Sequence, residues 1–93
     1  MAHFAKIQNT KVVEVIVVHN NDCDGGNFPQ SEPVGQAFIA SIGLDGEWKQ
    51  TSYSGSFRSK FAGIGDIFDP LLGEYGKFLD PQTQPIEPDN GEQ

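Results

Sequence analysis

The chain has 93 residues, with 13 acidic against 6 basic side chains and a net charge of −7. That length supports one modest core and is too short for two, and the acidity disfavours a phosphate backbone as partner. The longest apolar run, Val15 to Val18, falls far short of the roughly 20 residues a spanning helix needs, and a single cysteine, Cys23, excludes an internal disulfide or a cysteine-rich zinc site.

The opening MAHFAKIQ has no hydrophobic region of signal-peptide type. The expectation is a chain kept in the cytoplasm of its host or carried in a particle assembled there, with no membrane contact. Residues 2–8 alternate polar and apolar, QNTK makes a turn, and VVEVIVVH follows, which together predict a β-hairpin. Val13, Val15 and Val17 line one face of the second strand, and Val12, Ile16 and Val18 line the other around Glu14. Two apolar faces predict that this strand is the central one.

HNNDCDGGNFPQSE then raises a metal question, because Asn20, Asp22, Asp24 and Gly25 spell the start of an EF-hand calcium loop. The closing glutamate is missing: Ser31 holds the twelfth position, Glu32 lies one residue late, and a strand precedes the loop where a helix is required. An Asx-rich turn accounts for the same residues, and no metal site is expected. His19 and Cys23 stand four apart in this loop without a third group to orient them. The next stretch predicts a helix, with Ser31 or Glu32 at its start, Pro33 in the first turn and Gly43 at its end. Val34, Ala37, Phe38, Ser41 and Ile42 recur at helical spacing and define the face expected to pack.

Residues 47–53, EWKQTSY, have the composition of a third strand, with one aromatic on each face. Two short strands are predicted at 64–69 and 74–80 around the connection PLLG. From Pro81 onward the chain holds three prolines, three acids and one apolar residue, Ile86, a composition that cannot bury enough surface to order itself. The expectation is therefore an α+β, mainly β fold of order β-β-α-β-β-β: a small curled antiparallel sheet or partly open small barrel with one short helix. Residues 1–80 form the domain and 81–93 an acidic, proline-rich tail. A remaining sheet edge is open to pairing with a second copy.

Only residues 47–62 are net positive, with Lys49, Arg58 and Lys60 set among Trp48, Tyr53, Phe57 and Phe61. Such a strip suits single-stranded nucleic acid, since bases stack on rings while cations follow phosphates. The candidate binding residues are Trp48, Lys49, Tyr53, Phe57, Arg58 and Lys60. The same residues also have structural readings: Trp48 in the core against Phe38 and Ile42, and Arg58 capping a carboxylate such as Asp66 or Asp69. No catalytic constellation or cofactor motif emerges. Each histidine lacks a placed nucleophile, and the glycine-rich DGGN and GIG lack the lysine and helix of a phosphate loop.

Trp48, Gln50, Thr51, Ser52, Tyr53, Gly55, Phe57, Arg58, Ala62, Gly63, Ile64 and Gly65 fit the pattern W-x-Q-T-S-Y-x-G-x-F-R-x-x-x-A-G-I-G. That pattern, with the MAHFAKI and VVEVIVVHN openings, resembles short proteins of marine bacteriophage genomes and ocean metagenomes, a group without an established activity. The likeness spans residues 1–69 and departs at Asp66, where similar proteins often carry an aromatic, and in the short acidic tail. It implies a phage accessory or virion-associated protein, non-enzymatic, whose partners are its own copies or phage structural proteins. The alternative is an Sm-like small-barrel binder of RNA or single-stranded DNA that uses the strip 48–61.

Overall fold

Asn9 and Thr10 both take left-handed backbone angles, φ 53° and 64°, as a two-residue type I′ hairpin turn demands. They join β1 (Ala2–Gln8) to β2 (Lys11–Val18) in an antiparallel pair that ends at Gln8 opposite Lys11. The computed structural model describes residues 2–19 and 27–81. Residues 20–26, which open the EF-hand-like stretch, and the tail beyond Pro81 lie outside the described residues.

Period-two alternation makes β1 the strand buried on both faces. Ala2 and Phe4 enter one cluster with Val18, Ile39 and Trp48, and Ala5 and Ile7 enter a second with Val12, Ala62, Phe68 and Phe78. The two apolar faces of β2 predict the central strand, and β2 is the middle strand of the sheet. Although β2 lies inside the sheet order, Val13 and Val17 are 40% and 55% exposed. Its outer neighbour is short and meets it only at Lys11, opposite Ile67. A register shift between Lys6 and Ile7 also leaves Val13 without a partner on β1, as a β-bulge does.

Helix α1 (Ser31–Ser41) runs where the sequence placed it. It ends in a Schellman motif: Gly43, at φ 87°, donates to the Ala40 carbonyl, and the Leu44 N–H donates to Ile39. The docked face differs from the expected one. Ser31, Gly35 and Ile39 are the buried positions, whereas Val34 and Ile42 are exposed. Polar anchoring explains the rotation: the Ser31 hydroxyl donates to Gln50 Oε1 at 2.7 Å and Gln36 Nε2 donates to the Trp48 carbonyl at 2.6 Å. A helix held to a strand by its small and polar side chains cannot also turn Val34 inward.

Three strands complete the sheet: β3 (Glu47–Thr51), β4 (Ile67–Asp69) and β5 (Lys77–Leu79). All three are shorter than the sequence suggested, and the β4–β5 connection is longer than PLLG. Asp66 curls residues 63–66 into a turn by accepting from the Gly63 N–H at 2.7 Å. At the other end Gly76, φ 83°, lies so close to Phe68 that a Cβ there would fall 2.6 Å from the ring. The result is a five-stranded antiparallel sheet of order β3-β1-β2-β4-β5, curled into a half-barrel and mainly β with one short helix. No helix among the described residues is long and apolar enough to cross a membrane.

Candidate functional site

Strand β3 lies at one end of the sheet order and β5 at the other, and unpaired strand edges invite association. In this chain Arg58 closes both. One guanidinium nitrogen donates to the Gln50 carbonyl at 2.9 Å on the outer side of β3, and Arg58 Nε donates to the Tyr75 carbonyl at 2.9 Å beside β5. The Arg58 carbonyl in turn accepts from the Phe78 N–H at 3.0 Å.

The fork is completed by Glu32 in the first turn of α1. Arg58 Nη1 bonds Glu32 Oε2, Nη2 bonds Oε1 at 3.1 Å, and the same carboxylate accepts from the Gln50 N–H at 2.7 Å. The two side chains are only 4% and 14% exposed. The two fork hydrogen bonds fix the geometry of such a desolvated pair, and removing one partner strands a buried charge, which costs far more than losing a surface salt bridge. Rings enclose it: the guanidinium carbon sits 4.9 Å from the Phe28 centroid and 5.5 Å from that of Phe68, and Phe57 stacks on Phe28 at 3.9 Å. Arg58 and Ser59 hold positive φ, 58° and 79°, a strained pair of angles maintained by these surrounding contacts.

The partner of Arg58 is therefore neither Asp66 nor Asp69. Asp66 pairs with Lys60 at 2.9 Å, and Asp69 accepts from the Leu71 N–H at 3.0 Å. Lys60 also donates to Asp80, and these two carboxylates raise its pKa, the hydrogen bond to Asp80 contributing most. Lys49 lies 3.7 Å from Glu47, with its ammonium 5.9 Å from the Phe68 ring centroid. Trp48 is buried against Phe4 and Ile39, with Phe38 beside it, and its Nε1 donates to the Asp45 carbonyl at 3.1 Å. Ile42, the other expected neighbour, is exposed.

The six strip residues thus do not form one surface. Trp48 and Arg58 face inward, Phe57 flanks the Arg58 network, and Lys49 and Lys60 are held by carboxylates. Tyr53 alone stands far out, 75% exposed. Its companions are not among the six candidates: His3 on β1, outside the strip, stacks on it at 5.6 Å between centroids, and Phe61, within the strip, meets the two rings edge-on at 5.4 and 5.2 Å. Register brings them together, because His3 pairs with Thr51 on β3, two residues before Tyr53. Nothing in the local spacing of AHFAKI signals that contact.

Burial, and to a smaller degree the positive chain terminus, holds the His3 imidazole below its ordinary pKa of 6.5. A base that binds protons less readily when folded makes the fold less stable in acid. Its contribution is complete above pH 6.5 and is lost as the pH falls from there through the lowered folded value. Wild type should accordingly lose more thermal stability than His3→Phe between about pH 7.5 and about pH 5. Identical pH profiles would contradict this placement of the ring.

One further concavity, an open hollow of about 340 Å³, lies between Thr10 and the segment Ile67 to Leu71. Asp69 is the ionisable side chain among the residues that line it. Comparison of the chain with family models, with curated proteins and with solved structures finds no match.

Proposed function

We propose that this chain is a non-enzymatic accessory or virion-associated structural protein of a bacteriophage, acting as an adaptor through protein contacts. One observation carries the reading. The three-ring cluster of His3, Tyr53 and Phe61 faces outward at Tyr53, while Lys49, Arg58 and Lys60, the cations of the strip, are engaged by Glu32, Glu47, Asp66 and Asp80 of the same chain. Aromatic side chains are enriched where proteins meet, and phosphate recognition needs unpaired cations. The phage-like signature between Trp48 and Gly65 supports the same conclusion.

A stacked His3–Tyr53 pair also suits a nucleobase, which keeps the small-barrel nucleic-acid reading as the second possibility. The two separate experimentally. Tyr53→Ser should fold with unchanged thermal stability, since the ring is three-quarters exposed. Particles of a phage carrying the gene, purified on a density gradient and analysed by mass spectrometry, should retain the wild-type chain and lose the variant. Absence of the wild-type chain from such particles overturns the proposal. Binding of a fluorescent single-stranded oligonucleotide that weakens steeply with salt and disappears in Tyr53→Ser would establish the alternative.

A further inference from the structure

Antiparallel alternation fixes which backbone groups of β2 face away from β1. Trp48 and Gln50 turn theirs to the outer side of β3, so their partners Lys6 and Phe4 direct theirs toward β2. Glu14 and Ile16 answer them. The N–H and C=O groups of Val15 and Val17 consequently point to the other side of β2. On that side the β4 segment reaches β2 only at its start, with Lys11 opposite Ile67 and Val12 bonded to Gly65 and Asp66. Among the described residues, no strand pairs with β2 there beyond Val12.

This open edge contrasts with the other two. The edges of β3 and β5 are closed by Gln36, Glu32 and Arg58, whereas the stretch Val13 to Val18 is β-branched, carries one charge, Glu14, and exposes Val13 and Val17. Natural sheets protect such an edge with charge, proline or a cover. Here the sequence supplies a different match, because the edge is its own complement. Run antiparallel about a two-fold axis at Val15, it sets Val13 opposite Val17 of the partner subunit. Glu14 then meets Ile16 of the partner subunit, so no like charges stand directly opposed.

We propose that the chain forms a two-fold dimer by pairing this β2 edge with the same edge of a second copy, joining two curled sheets through the backbone groups of Val15 and Val17. Such an isologous contact closes on itself and leaves no further edge for growth. The dimer goes beyond the adaptor reading, and either can fail without the other, since the rings of Tyr53 and Phe61 take no part in it. Each chain carries a net charge of −7, so association should strengthen as salt screens the repulsion.

Sedimentation equilibrium of the full chain tests this. Wild type should show twice the chain mass at about millimolar concentration in about 0.5 M salt and shift toward monomer at low salt. Val13→Glu and Val17→Lys, both at exposed positions, should keep the monomer fold by circular dichroism and abolish the dimer. Mixing the two variants should restore it, because the proposed register sets the new lysine opposite the new glutamate. A monomeric wild type at high salt, a dimer indifferent to both substitutions, or a mixture that stays monomeric would each overturn the proposal.

Discussion

Replacing Arg58 by methionine is expected to cost about 3 to 5 kcal/mol of folding free energy, the usual consequence of breaking a buried ion pair from one side. Methionine keeps much of the volume between Phe28 and Phe68 but removes every donor. Glu32 is then left as a carboxylate only 14% exposed, and the carbonyls of Gln50 and Tyr75 lose their side-chain donor. Arg58→Lys should recover little, because one ammonium cannot reproduce a planar fork that serves Glu32, Gln50 and Tyr75 together. Urea unfolding measures both. A loss below about 1 kcal/mol for Arg58→Met, the scale of a surface pair, would show that the contacts are not realised in solution.

Trp48→Ala is expected to have an effect of similar size, about 3 to 5 kcal/mol, as is usual when a large aromatic leaves a core. The ring is 5% exposed and joins Phe4 and Val18 of the sheet to Ile39 of the helix. Its removal opens a void where that apolar cluster joins helix to sheet, while the tie from Gln36 to the Trp48 backbone remains. A domain of this size has little more than that to lose. Thermal unfolding of the variant should show near-complete loss of cooperativity, and iodide should quench native tryptophan fluorescence poorly. A stable variant with a readily quenched native ring would make Trp48 a contact residue.

The elements whose identity rests on short-range chemistry were legible in the sequence. QNTK gives the hairpin, Ser31 to Gly43 bounds the helix, and alternation around Trp48 gives β3. What escaped was set by contacts between residues far apart in the chain. The helix docks through Ser31, Gly35 and Gln36, which apolar periodicity counts as solvent-facing, and so that periodicity places the inner face one position away. Arg58 and Glu32 are 26 residues apart, and nothing in either neighbourhood favours that pair over the acids nearer in sequence. Aromatic and basic residues mixed along 48–61 look like one binding strip, yet the strained turn at Arg58 and Ser59 divides them between core, clasp and surface.

Arg58 acts as an internal clasp, joined to Glu32 and closing both sheet edges, so that the cations of 47–62 serve the fold. A double-mutant cycle of Arg58→Met and Glu32→Gln, followed by urea unfolding, measures that joint action directly. Residues that share one buried network should be non-additive, with the second substitution costing about 1 to 3 kcal/mol less once the first is made. Additive losses, agreeing within about 0.5 kcal/mol as they do for independent sites, would contradict the clasp and return Arg58 to the candidate binding surface.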